Sequence, residues 1–233
     1  MTLISFIFVL VTLGTLPYLK EDLKIYSVFR ISGDISLSGK GDSPYWMKAS
    51  LLTDFSYPWE KERPPVTKFR ALHNDDWLYC LYDVTDHNVN ILQEKNEKWE
   101  VASSSRVEIF FKIDDALTPY YCLEIDPLGR VLDYEATFHR KFNPTWSWPV
   151  GQLIVKTERR KDGYSLELAI SKASLKNLGL VNNNSLKAGL YRGDCTPQSS
   201  GDPDFKWISW ATPDSKTPDF HIPSSFGILR LEE

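Results

Sequence analysis

Ten short runs rich in β-branched and aromatic residues, with almost no helical periodicity between them, constrain this chain more than any other feature. They cover residues 69–72, 77–84, 106–113, 120–125, 130–134, 153–158, 164–170, 186–192, 206–210 and 227–231, and each has the length and composition of a strand. Turn-forming residues punctuate them: Asn74-Asp75-Asp76, Asp126-Pro127-Leu128-Gly129 and Lys161-Asp162-Gly163, residue types that accept turn conformations at little cost. One short helix is expected over 172–178, with Ser171 as its N-cap and Gly179 as its stop. Strands do not alternate with helices, which disfavours parallel α/β architectures. The fold class predicted is all-β, an antiparallel β-sandwich with one short helix.

A chain of 233 residues that is 42% hydrophobic buries a full core, and residues 25–233 read as a single domain. The formal net charge of −4 comes without any basic cluster, so nucleic acid is not an expected partner. Leu3 to Leu16 is an apolar run interrupted only by Ser5, Thr12, Gly14 and Thr15. It is short for a membrane span and suited to the h-region of a signal peptide, so residues 1–17 read as a signal segment and the protein as secreted. An N-terminal strand packed on the domain is the alternative, because no Lys or Arg precedes the run. Cys80, Cys122 and Cys195 allow one disulfide and show no metal-ligand spacing. Asn183-Asn184-Ser185 is a glycosylation acceptor pattern in a secreted chain.

Several segments, taken in order, resemble the family 9 carbohydrate-binding modules. They are Gly41-Asp-Ser-Pro-Tyr-Trp46, Thr67-Lys-Phe-Arg-Ala71 leading to Asp76-Trp-Leu-Tyr79, Trp99-Glu100, Arg106-Val-Glu-Ile-Phe110, Gly163-Tyr-Ser-Leu-Glu167, Trp207-Ile-Ser-Trp210 and Phe226-Gly-Ile-Leu-Arg-Leu231. The resemblance implies a β-sandwich of jelly-roll type and noncatalytic binding of a glycan whose terminal sugar is held between two aromatic rings, with structural calcium as a usual companion. Trp99 falls on one clamp ring and Phe220 near the other. Glu108 falls on the family's carboxylate. Glu124 and Asp126 stand near the family's Arg and Asn, and Tyr191 near its Gln, so donors give way to acceptors. Arg192, His221 or calcium would relieve the repulsion among three acids.

A pyranose presents apolar C–H faces and a rim of hydroxyls, so aromatic rings suit the faces and planar polar groups suit the rim. Trp99 fits this chemistry because it lies in the polar run 94–100. Each residue also has a plainer reading. Glu108 alternates with Val107 and Ile109 and shares its face with Arg106 and Lys112, either of which is a structural ion-pair partner. Phe220 would seal an edge of the sandwich, and Glu124 and Asp126 would lie on a solvated face. Trp46, Trp77, Trp207 and Trp210 read as core. Two other classes compete with binding: glycoside hydrolysis by two of Glu108, Glu124 and Asp126, and a haem-carrying sandwich, for which Met47 is the one methionine beyond Met1.

Overall fold

The computed structural model describes residues 23–198 and 203–233; the signal segment expected at 1–17 lies outside them. The fold is all-β. Among the described residues there are thirteen strands: β1 (Ile25–Arg30), β2 (Thr67–His73), β3 (Trp77–Thr85), β4 (Arg106–Lys112), β5 (Tyr120–Ile125), β6 (Val131–Thr137), β7 (Lys141–Asn143), β8 (Leu153–Arg160), β9 (Gly163–Ser171), β10 (Val181–Asn182), β11 (Ser185–Thr196), β12 (Asp204–Ser209) and β13 (Gly227–Leu231). One α-helix, α1 (Lys172–Asn177), and three 3-10 helices at Pro44–Lys48, Lys98–Ser103 and Pro223–Ser225 complete the elements. Every predicted strand is present. The helix starts after Ser171 as expected, but the Ser171 side chain makes no capping bond; Ser174 Oγ donates to the Ser171 carbonyl instead.

The strands follow one path, β7-β6-β5-β4-β11-β13-β1-β2-β3-β9-β8, with β10 and β12 both paired to β11. Pairing is antiparallel except at β1, which runs parallel to β13 through residues 25–28 and parallel to β2 through 29–30. That strand joins two groups: one led by β4, β5, β6 and β11, the other by β2, β3, β8 and β9. Phe69, Leu78, Tyr82, Leu166 and Leu168 of the second group share one core with Ile109, Leu123, Leu190 and Leu229 of the first.

Both groups are also covered on their other face. Ile31, Ile35, Trp46, Leu72 and Leu81 form a smaller cluster over the β2-β3-β9 face. Val101, Phe110, Tyr120, Cys122, Tyr134, Tyr191, Phe220 and Phe226 form another over the β4-β5-β6-β11 face. Double coverage explains why every residue of β4, β5 and β9 is buried where alternation would lead one to expect a wet side. It corrects the expectation that Glu124 and Asp126 lie on a solvated face. The three cysteines are buried and free. No helix among the described residues is long and apolar enough to cross a membrane.

Candidate functional site

Register decides which side chains meet on the outer face of β4, because directly opposed residues point to the same side. One row holds Arg106, Gly193 and Trp207, from β4, β11 and β12. The next holds Leu132, Glu124, Glu108 and Tyr191, from β6, β5, β4 and β11. A third holds Tyr134, Cys122, Phe110 and Gly189. Above the first two rows is a cavity of about 440 Å³. Its walls come from three covering segments: Trp99 and Ala102 of the 98–103 helix, Arg140 and Phe142 of the β6-β7 hairpin, and Pro218 to His221 of the loop before β13.

Two glycines make the floor possible. An added Cβ at Gly189 would lie 1.8 Å from the Tyr191 hydroxyl oxygen, so the ring occupies the space that a side chain there would take. At Gly193 a Cβ would lie 3.3 Å from Arg106 Nη1. With that space left clear, the Arg106 guanidinium sits 5.2 Å from the Trp207 ring centroid and 4.9 Å from that of Phe205, within cation-π range.

Charge at the floor is concentrated on one arginine. Arg106 Nε is 2.9 Å from Glu108 Oε1 and 2.6 Å from Glu124 Oε2, yet none of these three buried atoms completes an aligned hydrogen bond. Arg106 Nη1 donates to the carbonyls of Ala102 and Ser104, and Tyr134 donates to Glu124 Oε1 at 2.7 Å. Glu108 is only 2% exposed. Burial, followed by repulsion from Glu124 and offset in part by Arg106, pushes its carboxyl up to about 8. Arg106 therefore supplies the cation that the acids need, a role the sequence left to Arg192, His221 or calcium.

The remaining residues named from sequence divide by position. Trp99, Glu108, Glu124, Phe220 and His221 line the cavity. Asp126, Tyr191 and Arg192 do not, and each has a structural reason. Asp126 accepts from the amides of Leu128 and Arg130 and from the Arg130 guanidinium, closing the β5-β6 turn. Tyr191 is on the cavity side but lies beneath Phe220, stacked at 4.1 Å and 10°, and its hydroxyl donates to the Ser225 carbonyl. Arg192 points to the opposite side, fully buried, and donates to Asp86 Oδ2 at 2.8 Å.

Ring geometry also changes the expected clamp. Trp99 is 46% exposed. Phe220 is buried, with Tyr191 on one face and Trp207 edge-on at 5.7 Å and 90°. Trp207, expected in the core, lines the cavity, as does the exposed Phe142. His221 packs beside Phe110 and bonds Tyr120 through Nδ1. Burial, aided by Arg140, lowers it to about 3, so it stays neutral near pH 7. Arg106, Tyr134, Arg140, Phe142 and Asp219 were missed as site residues. A signal existed for Arg106, which shares its strand face with Glu108.

The resemblance implied structural calcium, and haem belonged only to a competing reading. No group of three or more His, Cys, Asp or Glu among the described residues converges as a metal site. Asp126 and Glu100 pair with Arg130, and Asp86 pairs with Arg192. Met47 is 87% exposed on the 44–48 helix and stands apart from the cavity lining.

The family profile described as "Carbohydrate family 9 binding domain-like" matches residues 37–233. The chain belongs to this family. Similar solved structures include a Bacteroides uniformis protein whose carbohydrate-binding role is itself an inference, with TM-score 0.68 and 18% identity over 90% of this chain and 100% of that one. A family 9 carbohydrate-binding module from Caldicellulosiruptor kristjanssonii in complex with cellotriose has TM-score 0.60 and 19% identity, covering 90% of this chain and 94% of that one. A module from the same organism in complex with glucose has TM-score 0.56 and 20% identity, covering 90% and 96%. No curated protein matches the chain significantly.

Proposed function

We propose that this chain is a secreted, noncatalytic carbohydrate-binding domain, a β-sandwich of jelly-roll type, that takes a terminal sugar of a glycan into the cavity above β4, β5 and β6. The carrying observation is the composition of that cavity: a buried Arg106-Glu108-Glu124 floor whose facing polar atoms are incompletely hydrogen-bonded, under walls that include Trp99, Phe142 and Trp207. Rings adhere to the sugar's C–H faces, while the floor selects the arrangement of hydroxyls. Family membership supports the same reading, as do the relatives solved with cellotriose and glucose.

A glycan array on the folded chain, followed by calorimetry on any hit, tests this. Trp99→Ala is expected to weaken binding by about two- to twelvefold, given stacking worth about 0.5–1.5 kcal/mol. Its circular dichroism should be unchanged. Undiminished binding in that variant would remove Trp99 from the site, and a blank array from a well-folded sample would overturn the reading.

Hydrolysis is the second reading, favoured by one observation: two carboxylates contact a common nitrogen and one has a raised pKa, a trait of catalytic acids. Against it, both carboxylates are committed to one buried guanidinium. Release of reducing sugar from an oligosaccharide, abolished by Glu108→Gln, would decide for hydrolysis.

A further inference from the structure

We infer that the cavity, on the glycan reading above, selects a sugar bearing a protonated amino group, so that its ligand is a hexosamine end and not a neutral hexose. Five charged side chains line the cavity: Arg106, Arg140, Glu108, Glu124 and Asp219. Arg140 is engaged by Asp219 at 3.0 Å. That leaves a single cation, Arg106, facing two carboxylates. His221, also in the lining, is kept neutral by its burial, and Tyr134 brings a hydroxyl with no charge. With both carboxylates ionised the floor is short of one positive charge.

Hydrogen bonding shows the same deficit. Glu108 Oε1 and Glu124 Oε2 are buried and share a single donor, Arg106 Nε, at 2.9 and 2.6 Å with neither bond aligned, a costly state for acceptors out of water. Sugar hydroxyls would supply donors but no charge. An ammonium supplies three donors and the missing charge together. The walls agree, because Trp99, Trp207 and Phe142 present π-systems that attract cations as well as C–H faces. Burial, followed by repulsion from Glu124, raises the Glu108 carboxyl, so that at neutral pH the group holds its proton. Arrival of an ammonium reverses that balance, so binding near neutral pH expels a proton from Glu108.

Calorimetry on the full chain tests this with glucosamine oligomers, their N-acetylated counterparts and cello-oligosaccharides of equal length, in two buffers of different ionisation enthalpy. The glucosamine oligomer should bind about tenfold tighter than the neutral ones, the effect of one charge-assisted hydrogen bond. Its heat should reveal release of about one proton. In Glu108→Gln, which keeps the shape and removes the charge, the ratio between amino and neutral sugars should collapse toward unity. Equal or tighter binding of the neutral oligomers by the unmodified chain would overturn the amine preference and leave glycan binding standing. Failure of all three sugars, together with a blank array, would overturn both.

Discussion

At the scale of single residues, Glu108 carries the clearest physical consequence. Its folded-state pKa of about 8 lies above the ordinary carboxylate value of about 4.3, so between those two pH values the folded chain holds a proton that the unfolded chain has released. Stability from this group is therefore full at acid pH and declines as pH rises through about 8. Melting curves of the unmodified chain and Glu108→Gln, taken across this range, should diverge in the variant's favour as pH rises; parallel curves would show that Glu108 titrates normally. Gly189 gives a second test. A methyl group there collides with the Tyr191 hydroxyl, so Gly189→Ala should cost about 1–3 kcal/mol by overpacking, read as a lowered denaturant midpoint. Both positions show what the sequence could reveal. Alternation placed Glu108 opposite its hydrophobic neighbours, and polarity marked Trp99 as exposed. Neither signal could say that the face beneath was covered, because the covering residues Phe220 and Phe226 lie more than a hundred positions further along the chain. Arg192 was misplaced for a related reason: an arginine in a strand suggests a wet or ligand-facing side, whereas this one meets Asp86 in the interior.

The element that presents Trp99 is held less by its own helical bonds than by one carboxylate. Glu100 accepts from the amides of Glu94, Lys95 and Glu97 and from Arg130, whose guanidinium also reaches Asp126 and the Leu92 carbonyl. These bonds, led by the Lys95 amide, hold Glu100 below the usual carboxylate range. Arg130→Ala leaves Glu100 and Asp126 without their cation and should cost about 3 kcal/mol. Amide exchange should accelerate in 94–103 and stay unchanged in β9, with glycan affinity falling alongside. Equal protection in both segments would mean that Arg130 does not organise the helix. Here the Trp99-Glu100 pair read from sequence has a mechanical meaning, with Glu100 positioning the segment and Trp99 exposed on it. The segments 41–46 and 163–167 are linked in the same way, through Trp46 Nε1 donating to Glu167 Oε1 at 2.7 Å. β1, β7 and β10 escaped prediction: three and two residues are too few for β7 and β10 to show a period, whereas the six residues of β1, Ile25–Arg30, were simply not read as a strand. Asn183 and Asn184, read from sequence only as part of a glycosylation pattern, turn the β10-β11 hairpin with φ of 48° and 53°, as a two-residue primed turn requires.

For the whole molecule, the cavity and the main core are two sides of the same strands. Val107, Ile109 and Phe111 of β4 face the shared interior, while Arg106, Glu108 and Phe110 face outward toward the covering segments. A ligand seated on Glu108 thus bears on a strand whose inner face contributes to the core joining both groups of strands. β1 adds a backbone link by pairing with β13 and β2 at once. One cooperative unfolding transition follows from this arrangement, since neither group retains a complete core without the other. Ligand binding should shift that transition as a unit. At a glycan concentration about a hundred times Kd the linkage is worth about 2.7 kcal/mol, which for a chain of this size raises Tm by about 5–11 °C. Differential scanning calorimetry should show a single peak, with calorimetric and van't Hoff enthalpies equal, moving upward intact. A peak that splits on adding ligand, with one component fixed, would show that the covering segments around the cavity fold separately from the core and that occupation of the site is not felt across the strands.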